Sequence, residues 1–281
     1  MSGVIAAAVV AHVPTLARAD ITPEFQKTLV QGERELGDRL RALKPDLWVI
    51  ASTHWVSTFN WLATCQPEHK GICVADEAPD IIPGLPYHYR GDPVFAEALL
   101  DAWRQTGLPV ARNDSPHYAW DYGTYVPLSH LDPRADIPVV GVPAVLLADH
   151  AECLRAGEAI HAAAHNSARR VVFLASTALT HALVRGRHLM PTAERIHADE
   201  NFIAGLLGGE IERTIAGFAE YHRVAEAEIG GRVLATLLGV LRGMSQTQTL
   251  AGKQFGGYAQ SSGSGNANVV VVGRDTFAQF G

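Results

Sequence analysis

The chain has only three cysteines in 281 residues, Cys65, Cys73 and Cys153. The number is odd, and no CxxC pair or zinc-knuckle spacing occurs. A disulfide framework and a thiolate-rich metal site are thereby excluded, and free thiols are expected in a reducing, cytoplasmic setting. Basic clusters are missing too: 23 Lys and Arg stand against 29 Asp and Glu, for a net charge of −6. A chain of that balance is a poor match for nucleic-acid phosphates. Long apolar runs are absent, and the opening MSGVIAAAVVAHVP has no basic n-region and is too short to span a bilayer. It reads as a first strand, not a leader, and no membrane partner is expected. There is no GxSxG elbow, and the glycines of SSGSGNAN lack a P-loop lysine and precede a strand.

What is present, 47% hydrophobic and 19% charged residues, describes an enzyme-like globular chain acting on a small molecule. No repeat or linker divides it, so residues 1–281 are expected to form one catalytic domain. Short continuous apolar runs at 3–11, 47–52, DIPVVGVPAV, 169–176 and NVVVVGRD read as strands buried on both faces. Between them, helices are expected at 22–43, with Thr22 as N-cap and Pro23 at N1, at 93–106, at 149–166 and through 192–242. The stretch ending IIPGLPYHYRGDP reads as irregular and able to wall a pocket. YAQSSGSGNAN reads as a polar connection.

Two histidines follow these runs directly, His12 in AHVPT and His54 in STHW. At the ends of buried strands an α/β sheet collects its ligands, and two imidazoles there need one carboxylate to complete the facial triad that holds non-haem Fe(II). A third, His181, follows the run RRVVFLAS. His69, His150, His161, His165, His197 and His222 lie in polar or helical stretches and read as surface or hydrogen-bonded histidines.

The segments AHVPT, STHW, WDYGTYVPL, LASTALTH and SSGSGNANVVV, in this order and at these separations, resemble the class III extradiol dioxygenases, the superfamily that includes protocatechuate 4,5-dioxygenase. Within it the likeness is to the 3,4-dihydroxyphenylacetate 2,3-dioxygenase and 2-aminophenol 1,6-dioxygenase groups, and it covers essentially the whole chain. The resemblance implies a three-layer α/β/α fold with a central, mostly parallel, mixed sheet. It also implies ring cleavage of a catecholic, 3,4-dihydroxyphenylacetate-like substrate by O2 to a muconic semialdehyde. A 2-aminophenol substrate is the alternative, and a non-catalytic or zinc-binding relative is a further one.

The resemblance assigns His12 and His54 to Fe(II), with manganese as the alternative metal. Its third ligand is a glutamate ahead of a buried helix, where Glu226 and Glu228 compete; the family spacing to Leu237-Leu238-Gly239 favours Glu228. His181 matches the acid/base histidine, a role that suits imidazole because a catechol must lose protons to chelate iron. Tyr122, in WDYGT, is expected to donate a hydrogen bond to substrate or oxygen, and Asp121 reads as a turn residue. Asn266 stands where some relatives carry an acid and is a poor metal ligand. Arg185, Arg187 and His188 are candidates to meet a substrate carboxylate. A homo-oligomer is implied by the family alone.

Overall fold

A computed structural model of the chain describes residues 2–280. The elements that build it are, in chain order, β1 (Gly3–Val10), α1 (Lys27–Ala42), β2 (Leu47–Ser57), β3 (Trp61–Thr64), β4 (Glu68–Cys73), β5 (Leu85–Arg90), α2 (Pro93–Gln105), β6 (Val110–Asn113), α3 (Tyr122–Leu131), β7 (Val139–Val145), α4 (His150–Asn166), β8 (Arg170–Ser176), α5 (Ala193–Gly208), α6 (Ile211–Ala225), α7 (Arg232–Ser245), β9 (Leu250–Ser261) and β10 (Ser264–Gly273). Six strands form the central sheet in the order β7-β2-β8-β1-β10-β9. The first four are parallel and the β9-β10 hairpin runs antiparallel at one edge.

Helices cover both faces, which gives the expected three-layer arrangement and explains why the central strands are apolar throughout. Side chains alternate along each strand. Leu47, Val49 and Ala51 of β2 join the core under α2, α4, α5, α6 and α7, while Trp48 and Ile50 join the opposite core under α1 and α3. Asp92 and Asp149 cap α2 and α4, accepting the backbone N–H of Phe95 and Glu152. No helix among the described residues is long and apolar enough to cross a membrane.

Register brings the strand ends together. Val10 of β1 and Ser52 of β2 both pair with Ser176 of β8, so three residues stand in one row across adjacent strands. His12, His54 and Ala178 each lie two positions beyond that row. In β2 the pairing with β7 jumps from Ser52 to Val56, so Thr53, His54 and Trp55 bulge off the ladder. Such a bulge re-aims side chains at a sheet rim.

Several local expectations differ from the structure. α1 starts at Lys27, not beside Thr22, because a 3-10 turn at Glu24–Gln26 intervenes. Gln26 is buried there, accepting from the Thr15 hydroxyl and donating to the Gln260 carbonyl at 2.9 Å. LPYHYR is not irregular but a strand, β5, paired with β4. YAQSSGSGNAN is not a connection; it forms the tip and much of the β9-β10 hairpin. The helical stretch 192–242 is three helices, broken at Gly209 and again around Glu228.

Candidate metal centre

His12 emerges where Pro14 ends β1 pairing and begins a short 3-10 turn. Its Nε2 lies 3.1 Å from His54 Nε2 and 3.5 Å from Glu228 Oε1. His54 Nε2 is 3.6 Å from the same oxygen. These are the residues among those described whose donor atoms gather closely enough for one ion, all within 4.8 Å of one another.

Glu228 reaches the site through a strained turn. Ile229, Gly230 and Gly231 have φ of 47°, 69° and 72°, a left-handed run that suits glycine and reverses the chain between α6 and α7. The carboxylate is held at its far oxygen: Oε2 accepts from Ala178 N–H at 2.7 Å and from the Thr177 hydroxyl at 3.2 Å. Oε1 is left facing the imidazoles. Glu226, two residues earlier, instead pairs on the surface with Arg195.

The tautomer of His12 follows from its neighbour. Ser176 donates its single hydroxyl proton to the Gly123 carbonyl, so in its 3.3 Å contact with His12 Nδ1 it accepts. Nδ1 therefore carries the hydrogen and Nε2 presents a lone pair, the arrangement that ligating histidines adopt. His54 is fixed through its backbone: its N–H donates to Ser52 Oγ, and Ser52 donates to Asp121 at 2.6 Å. Asp121 is the N-cap of α3, accepting from Thr124 N–H. Gly123 sits inside this cluster, where a Cβ would overlap Ser52 Oγ and come within 3.2 Å of His54.

Two further side chains border the imidazoles. Tyr122 is buried with its ring centroid 4.0 Å from that of His54. Burial and the Glu77 and Glu228 carboxylates push its phenol far above the ordinary range. His181 Nε2 lies 3.4 Å from Glu228 Oε1. Burial lowers its pKa, with Glu228 opposing. His54 is lowered to about 4 by burial and by His12, against the pull of Glu228. Burial would raise Glu228, but His12, His181 and His54 hold it well below the carboxylate range.

The donor set fits a divalent cation. Ligands about 2.1 Å from an ion and at right angles to one another lie about 3 Å apart, close to the separations between these three side chains. Glu228 is also a buried carboxylate whose Oε1 faces nitrogen donors, and buried charge is stable when paired or metal-bound. Three donors of this kind are the set that leaves adjacent positions open on non-haem iron.

Other candidates lie elsewhere. Asn266 is buried, and its amide donates to Ala259 O and Ser264 Oγ. Arg185, Arg187 and His188 lie on an exposed segment after His181. Sequence reasoning missed Glu77, whose carboxylate is 4.0 Å from His54 Nδ1, and Ser176. Only their neighbourhood in space marks them, although Ser176 does close the third strand run. A surface cleft of about 730 Å³ between α5 and α6 contains none of the three converging residues.

A family profile described as the catalytic LigB subunit of aromatic ring-opening dioxygenase matches residues 6–271. The chain is 24% identical over 182 residues to a 3,4-dihydroxyphenylacetate 2,3-dioxygenase of Escherichia coli, a match covering 63% of this chain and 66% of that protein. It is 26% identical over 216 residues to the alpha subunit of a 2-aminophenol 1,6-dioxygenase from Pseudomonas sp, covering 75% and 79%. With the beta subunit of that name it shares 28% over 192 residues, covering 63% of each. The chain thus spans just under two thirds of the length of the first and third of these relatives. A crystal structure of an uncharacterized protein from Escherichia coli K12 shares the fold with a TM-score of 0.65 and 18% identity, covering 95% of this chain and 99% of that one.

Proposed function

The chain belongs to the family of catalytic LigB subunits of aromatic ring-opening dioxygenases, and from that premise we propose that it is an Fe(II)-dependent extradiol dioxygenase acting as one catalytic domain. The observation that carries the reading is the convergence of His12 just beyond β1, His54 on the β2 bulge and Glu228 in the turn before α7. Those three residues would hold the metal. Bound there, Fe(II) supplies electron transfer between a chelated aromatic diol and O2, the difficult part of the chemistry.

The protein's part is positioning and proton handling. Burial lowers the pKa of His181, with Glu228 opposing, which suits its imidazole to accept a proton from a substrate hydroxyl and return it at a later stage. Tyr122 keeps its proton, since its phenol is raised, and acts as a fixed donor toward a substrate oxygen. Glu228 and the Ser176 contact keep both His12 Nε2 and the carboxylate Oε1 aimed at one point.

The substrate proposed is a catechol of the 3,4-dihydroxyphenylacetate kind, cleaved to a muconic semialdehyde. A 2-aminophenol is the second reading, favoured by the longer match to the aminophenol relative. Anaerobic loading with Fe(II), followed by a panel of catechols and aminophenols in air, tests both. One O2 consumed per ring opened and a yellow product are expected. Stoichiometric zinc in anaerobically purified protein, with no O2 uptake after iron loading, would overturn the proposal.

A further inference from the structure

Behind the segment that carries His181 lies a carboxylate unused in the chemistry above. Asp199, on α5, is 0% exposed. Donors from three other parts of the chain converge on it. Tyr221 of α6 donates to Oδ1 at 3.0 Å, Tyr258 of β9 to Oδ2 at 2.7 Å, and the backbone N–H of Thr180 to Oδ2 at 3.2 Å. An apolar residue in its place would leave two phenols and an amide unpaired in the interior, each at a desolvation cost.

Thr180 is the residue before His181, and the segment around it is tied on every side. Leu179 N–H donates to Gly265 O and Gly265 N–H to Thr180 O, both at 2.9 Å. The Thr180 hydroxyl donates to Ala225 O, and single bridges join Thr180 to Ala227 and His181 to Ser264. Asp199 supplies the side-chain acceptor in this set. The glycine-rich stretch of β10 makes room for it: a Cβ on Gly265 would overlap the Tyr258 hydroxyl and fall 2.5 Å from Asp199 Oδ2. Gly265 is therefore a close-approach glycine, which gives this glycine-rich motif a packing role.

We propose that Asp199, together with Tyr221 and Tyr258, is a positioning residue for His181, fixing the Thr180 backbone and so the place of the next imidazole beside Glu228. The inference rests on the assignment of His181 as the proton-handling group. Burial raises the Asp199 carboxyl to about 6, and the Tyr258, Thr180 and Tyr221 donors oppose that rise while Glu200 adds to it. The three donors thus favour the charged acceptor, which can serve all of them at once.

Asp199→Asn and Tyr258→Phe test the proposal in the full chain. Loaded with Fe(II), both are expected to lose about tenfold in kcat, the scale of lost outer-sphere support, with KM and bound iron unchanged. In the His181→Ala background neither variant should lower kcat further. In metal-free protein, amide exchange at Thr180 should speed up by about tenfold while amides of β1 hold their protection. Equal kcat losses with and without His181, or unaltered Thr180 exchange in both variants, would overturn it. If Asp199→Asn does not fold, Tyr258→Phe carries the same three measurements. A wild-type enzyme that opens no ring fails the proposed function instead, and the exchange data then decide whether Asp199 holds this segment.

Discussion

Glu226 and Glu228 are two residues apart yet face opposite surroundings: the Glu226 side chain is 60% exposed and pairs with Arg195, while Glu228 is 5% exposed and closes on His12. Glu226 itself adopts φ 49°, so the reversal between α6 and α7 begins there and turns the second carboxylate inward. Glu228→Ala is expected to lose metal and ring cleavage together, and Glu226→Ala to retain both. Metal content per chain after anaerobic loading and desalting reads the difference. The assignment is reversed if Glu226→Ala is the variant that comes through metal-free.

Proton handling separates from metal binding in His181→Ala and Tyr122→Phe. Both should bind iron at wild-type stoichiometry. Turnover should fall by about 10²- to 10⁴-fold for His181→Ala, the range for a lost acid/base group, and by less for Tyr122→Phe, which removes one donor. Steady-state rates alongside iron content check this, and unchanged turnover in His181→Ala removes its assigned role.

Gly123→Ala places a methyl against Ser52 and His54. Overpacking of this kind costs about 1–3 kcal/mol, and here it displaces the hydroxyl that orients the His54 backbone. Lower iron affinity and a lower melting temperature are expected together. A variant with wild-type values of both would show that the α3 entrance yields without disturbing His54.

A pH effect is expected far from the metal. Glu33 on α1 is fully buried, neither oxygen has a hydrogen-bond partner, and burial raises its carboxyl well above the ordinary value against a smaller opposing pull from Arg34. The folded state then keeps a proton that the unfolded chain gives up above about pH 4.3. Stability is therefore full below that pH and declines as pH rises toward the folded pKa. Asp199 adds a slope of the same sign up to about 6. Glu33→Gln should flatten the profile and raise stability at pH 8 relative to the wild type, because the amide has no proton to hold against ionisation of the unfolded chain. Melting temperatures of both proteins from pH 5 to 8 test it; parallel profiles would show that Glu33 does not titrate in this way.

Removing the metal leaves the Glu228 charge facing imidazoles alone. A ligand that binds only the folded state stabilises it by about 2.7 kcal/mol at a hundredfold excess over Kd. Chelation should lower the melting temperature, and Fe(II) or Mn(II) added without oxygen should restore it. His12→Ala should show no such response, and a rise of wild-type size in that variant would place the ion elsewhere.

The parts of this architecture legible in the sequence are those with local causes. The runs that lead to His12 and His54 are continuous and apolar because helices cover both faces, and the third run ends at Ser176 for the same reason. The break that carries Glu228 was hidden inside a helical pattern; its trace is Gly230-Gly231 following Ile229, all at positive φ. Of the β9-β10 hairpin the sequence shows the NVVVVGRD run, whereas β9 and the tip are hidden because several of their buried positions, Gly252, Ala259, Ser264, Gly265 and Asn266 among them, are polar or small. Asn268 is fully buried by accepting from Ala11 N–H and donating to Leu29 O. Contacts such as Ser176 to His12, 164 residues apart, have no local signature at all.

The three converging side chains come from positions 12, 54 and 228, and the strand that lines them up, β8, is made long after the first two. A ribosome delivering this chain exposes both histidines before β8, and the Ala178 anchor and then the carboxylate follow that strand. Two imidazoles on an unfolded segment grip an ion weakly compared with the finished set of three. An ion held by all three side chains would therefore load only after Glu228 has been made and the sheet has closed.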